Sequence, residues 1–482
     1  MHRRSLLQHA ALAPLAGGLS SVARADDATE FVKPDYTLRI ATGLVELAPG
    51  HIVSTTLYND QYPGPLLRLT EGKPVVVDVQ NDTDVPELLH WHGQMVPSYV
   101  DGAAEEGTPF ISPHQRQRIT FTPKPTGFRF YHTHVRAGGD LNRGTYTGLS
   151  GPVYIEPKQN PGAYDREVFL VLKEFAPSFS RGGDMDVDAL PGRPVAALQA
   201  TGRQADRAAA DKTKGFEVGY DLFSINGRML GHGDPIRVRQ GERVLFHVLN
   251  ASATEIRSLA LPGHTFRVVA LDGNPVPRQA NVPVLWLGTA ERVSAIVEMN
   301  HPGIWVMGDL ADDDRGHGMG IVVEYANRKG KPVWTKPRPF HWDYTAFGNG
   351  STHAAEPVET IEILAVKHNA ADHGFNQWTL NGQAFSMQSM EPKFTLQKGR
   401  RYRLKVRNAS DDIHPLHLHR HSFELVQVGG KATSGVMKDV VMLGGYQEVA
   451  LDFIADNPGP TLFHCHQQLH MDFGFMALFN YA

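Results

Sequence analysis

Residues 59–81 read NDQYPGPLLRLTEGKPVVVDVQN, and two later stretches follow the same plan. Residues 226–250 read NGRMLGHGDPIRVRQGERVLFHVLN, and residues 381–408 read NGQAFSMQSMEPKFTLQKGRRYRLKVRN. Each copy opens on an Asn-led turn, runs through a segment containing Pro and a tight Gly turn, and closes on an alternating strand ending in Asn. The alternation is plain in Val75-Val76-Val77-Asp78-Val79 and in Tyr402-Arg403-Leu404-Lys405-Val406. A period of two marks strands with one face in a core. The far ends of the copies also match: GFRFYHTH (127–134), GIWVMGDL (303–310) and GPTLFHCH (459–466). An all-β chain of three β-sandwich domains is expected, at 26–160, 161–340 and 341–482. The stretch 181–214, rich in Ala, Gly and Asp and without alternation, reads as a surface insertion in the second domain.

Bulk properties agree with that outline. A chain of 482 residues is too long for one ordinary domain, and 20% charged with 41% hydrophobic residues is a globular composition. Gly (47) and Pro (32) are abundant, as many turns require, and no apolar run is long enough for a spanning helix. At the N-terminus, Arg3 and Arg4 precede an apolar stretch from Leu6 to Val22 and the small-x-small sequence Ala23-Arg24-Ala25. Residues 1–25 therefore read as a twin-arginine signal peptide. Its partner is the Tat export machinery, and its destination is the periplasm or the exterior. Without those residues, 44 Lys and Arg face 51 Asp and Glu. That balance gives no electrostatic reason to expect nucleic acid or anionic lipid as partner.

Cys465 is the only cysteine, so no internal disulfide holds the chain together. Its neighbours give a different reason for a thiol. Four histidine motifs stand out: HWHG (90–93), HTH (132–134), HPLHLH (414–419) and HCHQQLH (464–470). In a strand, residues i and i+2 share a face, which pairs His90 with His92, His132 with His134, His417 with His419 and His464 with His466. Eight imidazoles on such pairs can converge on several metals. Cys465 points to the opposite face from its flanking histidines, where His414 and His470 can complete a His₂Cys trigonal site, the blue-copper arrangement. A structural zinc site needs four ligands, and this pattern offers eleven.

These motifs, in this order and spacing, resemble those of three-domain multicopper oxidases of the laccase type, over essentially the whole chain after residue 25. The resemblance implies cupredoxin-like Greek-key domains and four copper ions. It implies a type 1 copper on His414, Cys465 and His470, and a type 2 copper on His90 and His417. It implies a type 3 pair on His92, His132, His134, His419, His464 and His466. The implied activity couples four one-electron oxidations of a reductant to the reduction of dioxygen to two waters. Phenols or aromatic amines are the default reductant, and cuprous or other metal ions the alternative. A non-catalytic cupredoxin scaffold is disfavoured because no ligand is missing.

The repeat supports the division of labour independently. Aligning Asn81 on Asn408 sets His90 opposite His417 and His92 opposite His419, but Glu87 opposite His414 and Thr133 opposite Cys465. In the second copy the HCH positions are Gly308, Asp309 and Leu310, and Asp314 stands for His470. The middle domain reads as a spacer without copper. Asp101 follows HWHG where relatives of this family place a proton-relaying carboxylate, although Asp-Gly is also a common turn pair. At the axial type 1 position, where the family often has Met, stands Phe475. This residue is a non-ligand that raises the copper potential unless a bulge brings in Met476. Met471 replaces an acid found in several bacterial relatives, and Asp472 is the candidate substitute. Met387 and Met390 read as core packing. Asp411 and Asp412 read either as donor-orienting acids or as a solvated turn. Asp312–Asp314 with His317 read as a solvated loop, and His264 and His421 as sharing a structural role.

Overall fold

The computed structural model describes residues 33–159, 162–180, 214–350 and 359–482. The expected leader (1–25) and all of the expected insertion except Lys214 lie outside the described residues. The described part is all-β. Its strands form six sheets, and in the second and third repeats these have the same sizes and order. In the third repeat one sheet runs Phe375–Leu380, Glu359–Asp372, Arg401–Asn408, Glu448–Ile454, Phe423–Val428, Lys431–Lys438. The other runs Lys393–Leu396, Met476–Tyr481, Thr461–Cys465, His414–Leu418, Val440–Leu443. No helix among the described residues is long and apolar enough to cross a membrane.

The two asparagines that bracket each repeat have a physical purpose. Asn59, Asn226 and Asn381 sit at φ 53°, 53° and 51°, and the residues after them (Asp60, Gly227, Gly382) also have positive φ. Paired positive φ values make the two-residue hairpin turn that matches strand twist, and Asn tolerates them. Each side chain also pairs with the edge of a neighbouring strand. The Oδ1 atoms accept from the N–H of Arg39 (2.6 Å), Val171 (2.8 Å) and Leu364 (2.7 Å). The Nδ2 atoms donate to the carbonyls of Thr37, Phe169 and Glu362.

The closing asparagines are buried and hold the loop that leads into the next strand. Asn81 Nδ2 donates to the carbonyls of Val85 and Ile111, Asn250 to those of Glu255 and Leu287, and Asn408 to those of Asp412 and Gly444. In the first and third repeats the strand so positioned carries His90 or His414 and His417.

Between the brackets, alternation sets the core. In Arg401–Asn408 the buried residues are Tyr402, Leu404, Val406 and Asn408. Each large apolar side chain so buried contributes roughly 1.5–3 kcal/mol. Arg401 and Arg403, on the outer face, both pair with Asp452. Val75–Asn81 departs from strict alternation because Asp78 is buried too. Its carboxylate takes two bonds from Arg118, at 2.7 and 2.9 Å, which hold it below the usual carboxylate range. A buried acid with a bidentate partner survives in a core position.

Candidate metal centre

Strand pairing brings the histidine motifs together. In the first repeat His90 lies opposite His132 in the ladder; in the third, His417 lies opposite His464 and Leu416 opposite Cys465. The two repeats then face each other. His90 stacks on His419 with ring centroids 4.1 Å apart, and His92 stacks on His417 at 3.8 Å. The rings of His134 and His464 are 5.2 Å apart and those of His132 and His466 5.0 Å. All eight rings are buried. Their donor atoms form overlapping groups, including His90–His417–His419, His90–His92–His132 and His134–His419–His464, with every atom in a group within 4.8 Å of the others.

Acceptors behind the rings settle which nitrogen faces inward. The Nδ1 atoms of His90, His132, His417 and His464 lie 2.7–2.9 Å from the backbone carbonyls of Asp101, Thr133, Asp439 and Cys465. His419 Nδ1 lies 2.9 Å from Asp101 Oδ2. A carbonyl or carboxylate only accepts, so Nδ1 carries the proton and Nε2 turns a lone pair to the centre, the arrangement behind most metal-bound histidines. His92 is reversed: Asp439 Oδ1 holds its Nε2 at 3.1 Å, leaving Nδ1 to face His132. Burial pushes His92, His132, His134, His417, His419 and His466 well below the ordinary imidazole value, and His464 down to about 3. Neutral rings are the ligating form.

On the other face of the Cys465 strand lies a compact triangle. Cys465 Sγ is 3.6 Å from His414 Nδ1 and 3.5 Å from His470 Nδ1, and the two nitrogens are 3.0 Å apart. Ser410 Oγ donates to Asn408 Oδ1 and accepts from His414 Nε2 at 3.2 Å, so His414 Nδ1 is a bare lone pair. Burial pushes the Cys465 thiol up and lowers His414 to about 4. Phe475 packs against His414 with centroids 4.6 Å apart. Met476 lies elsewhere, among Phe385, Leu462, Met471 and Leu478.

Models of the multicopper oxidase family match residues 40–160, 199–326 and 358–482. The chain belongs to the multicopper oxidase family. A multicopper oxidase of Mycobacterium tuberculosis, MmcO, is 27% identical over 97% of this chain and 92% of its own length. One from Staphylococcus aureus is 24% identical over 92% and 87%. The crystal structure of a multi-copper oxidase from Pseudomonas thermotolerans superposes with a TM-score of 0.69, at 24% identity, over 93% of this chain and 98% of that one. A laccase from Botrytis aclada gives 0.71 at 19% identity, over 92% and 87%. The oxidase thus binds copper and passes electrons from a reducing substrate to dioxygen.

The residues present fit copper. His90 Nε2, His417 Nε2 and both ring nitrogens of His134 are buried with no hydrogen-bond partner among the described residues. Such orphans are costly in a finished core unless a ligand satisfies them.

Several residues take roles that their sequence context did not suggest. Asp412 is not a solvated turn residue: it is buried, 2.9 Å from Lys367 Nζ, and accepts from Trp378 Nε1. Asp472 does not face the imidazoles; its carboxylate accepts from the N–H groups of Ala137 and Gly138, tying the third repeat to the first. Residues 312–316 form a short helix rather than a loop, with Asp314 turned in to Arg257. Met387 is 41% exposed, so it is not core. His264 and His421 do share a role, each bonded to a tyrosine hydroxyl, Tyr325 or Tyr481. Asp439, Glu106 and Trp378, which touch His92 and His417, His419 and His470 respectively, carried no motif that marked them.

Proposed function

We propose that the oxidase holds four copper ions: type 1 at His414, Cys465 and His470, type 2 at His90 and His417, and a type 3 pair at the six remaining histidines. The carrying observation is the His464-Cys465-His466 tripeptide, whose thiol joins the triangle while its flanking rings join the eight-imidazole group. Copper held there would supply one-electron oxidation at the first site and four-electron reduction of dioxygen at the second. The chain's own part begins with connection. The thiol, the backbone and the His464 Nδ1–H bond to the Cys465 carbonyl (2.9 Å) link the two sites.

Proton supply falls to Asp101, whose Oδ2 lies 2.9 Å from His419 Nδ1 and 3.1 Å from His90 Nδ1. Glu106 stands behind it, with Oε1 3.4 Å from His419 Nδ1 and Oε2 2.9 Å from Arg420 Nε. Burial, then the neighbouring Asp101 charge, push the Glu106 carboxyl well above its ordinary value, so Glu106 holds a proton that it can pass to Asp101.

The proposed reductant is a phenol or aromatic amine. Trp378 covers His470 with centroids 4.0 Å apart, and Phe375 stacks on Phe473 at 4.3 Å beside it. Glu217, raised by burial to about 7, bonds Asn376 and pairs with Lys367 close by, where it can take a phenolic proton. A cuprous-ion reading rests on Met471, on the helix bearing His470, and on Met476 and Met390, which pack in the same cluster. Oxygen uptake by copper-loaded enzyme, with a substituted phenol and with Cu(I) in parallel, decides between them. Efficient uptake with Cu(I) alone would overturn the phenol assignment.

We further propose the three domains 26–160, 161–340 and 341–482, and export to the periplasm or exterior by the twin-arginine route. Arg3-Arg4 and Ala23-Arg24-Ala25 support export. A mature N-terminus at Asp26, lost when both arginines become lysine, is the expected result.

A further inference from the structure

The middle repeat carries none of the proposed ligands, yet it reaches the metal centre. Asp439 is the meeting point. Its carbonyl accepts from His417 Nδ1 (2.7 Å), and its Oδ1 accepts from His92 Nε2 (3.1 Å). One residue therefore fixes a ring from each of two repeats, the same two that stack at 3.8 Å. Asp439 is held in turn from the middle repeat. Arg292 NH1 donates to Oδ1 (2.7 Å) and NH2 to Oδ2 (2.6 Å), a two-pronged grip that sets the carboxylate's rotation as well as its place. Arg129, from the first repeat, adds a bond to Oδ2 at 3.0 Å. The side chains of Asp439, Arg292 and Arg129 are all 0% exposed.

Arg292 is itself immobilised. Its NH1 donates to the Ala290 carbonyl, and its backbone N–H donates to Asp272 Oδ1. The other oxygen of Asp272 accepts from the N–H groups of Asp439 and Val440 and pairs with Lys438 at 2.9 Å. Glu291 takes Lys438 at 3.0 Å and the Tyr344 hydroxyl at 2.6 Å. The middle repeat thus grips Lys438, Asp439 and Val440 through both backbone and side chain.

Gly93, the last residue of HWHG, records the same constraint. It has φ +76°, and a Cβ there would stand 2.7 Å from Asp439 Oδ2 and 2.8 Å from Arg292 NH2. The motif's glycine leaves room for the arginine–aspartate pair.

We propose that Arg292 of the middle repeat is a positioning residue of the three-copper centre, orienting Asp439 and through it His92 and His417. The inference rests on the copper assignment proposed above. Loss of such an outer partner typically costs about 10–100-fold in metal affinity or activity.

The test compares copper-loaded wild type with Arg292→Gln, Arg292→Lys and Asp314→Asn. Readouts are copper content, blue absorption, the type 2 EPR signal, the type 3 near-ultraviolet band, and reoxidation of reduced enzyme by oxygen. Arg292→Gln should keep the blue band and its reduction by substrate, while the type 2 and type 3 signatures change and reoxidation slows by about 10–100-fold. Arg292→Lys, which keeps charge but not the paired bonds, should fall between. Asp314→Asn, in the same repeat but paired with Arg257 and not with Asp439 or Arg292, should keep all these signatures, separating positioning from general destabilisation. Unchanged type 2 and type 3 signals and reoxidation in Arg292→Gln would overturn the proposal. If that variant does not accumulate, the same result in Arg292→Lys overturns it. A wild type without type 2 or type 3 signals would instead sink the copper assignment.

Discussion

In the third repeat the paired strands His414–Leu418 and Thr461–Cys465 bring His414 and Cys465 against His470 of the following short helix, under Trp378; in the second, the corresponding strands Arg257–Ala260 and Ile304–Gly308 frame something else. Ala260 faces Gly308 as His417 faces His464, which puts Arg257 in the place of His414. Asp314, in the place of His470, forms an ion pair with Arg257. Asp309, in the place of Cys465, accepts from Ser258 Oγ at 2.7 Å. Phe223 lies under the guanidinium at 4.6 Å, much as Trp378 lies on His470. The first repeat has a third filling: Thr133 donates to Glu87 at 2.9 Å, again on the two positions matching Cys465 and His414. One backbone frame therefore has three solutions for a buried polar spot. Where the side chains satisfy each other no metal is called for, and where bare lone pairs converge one is.

Moving residues between these frames tests the contrast. The largest effect is expected from Cys465→Thr, which gives the third repeat the first repeat's residue. Blue absorption should vanish and oxidation fall to background while the chain stays folded and the eight-imidazole site still takes copper. Folded protein with blue absorption would break the assignment.

Next comes Asp314→Asn in the second repeat. It removes the charged acceptor bonded to the buried Arg257, leaving Glu255 and Asp309 nearby, which should cost at most about 3 kcal/mol of stability with copper content unchanged. Denaturant unfolding with metal analysis measures both.

A smaller, pH-dependent effect belongs to Glu87. Burial raises its carboxyl from 4.5 to about 7. In the unfolded chain it would ionise first, so its contribution to stability is full below about pH 4.5 and is lost as pH rises through about 7. Glu87→Gln keeps an acceptor for Thr133 and removes that loss. It should gain on the order of 1–3 kcal/mol over wild type at pH 8 and little at pH 4. Melting curves at the two pH values show whether the gain follows pH.

The smallest effect is expected from Phe475→Met. A thioether at the axial position should lower the potential of the blue copper and slow oxidation of high-potential phenols a few-fold, with copper content unchanged. Redox titration of the blue band reads the shift.

Much of this was legible because the signals are local. Turn asparagines, alternation and HxH spacing act within a few residues, and the copy-to-copy alignment separated the two repeats that carry the histidine motifs from the one that does not. Asp439 was not legible. It sits at the bend after the strand Lys431–Lys438, and Lys438 takes a core-facing position that alternation would give to an apolar residue; both are buried because Asp272, Glu291 and Arg292 arrive from more than a hundred residues away. Glu106 was hidden in Ala-Ala-Glu-Glu-Gly, which looks solvated until Arg420 and His419 close over it. Met387 was misread because a methionine in a turn-rich stretch gives no period by which to judge its face.

The copper count, read together with EPR, tests the central claim most directly. The expected result is about four coppers per chain with half of them EPR-visible. One of these should show the narrow hyperfine splitting of a thiolate-bound ion, and the coupled pair should be silent. One copper per chain, or four without a blue thiolate signal, would contradict the division into a His₂Cys site and an eight-imidazole centre.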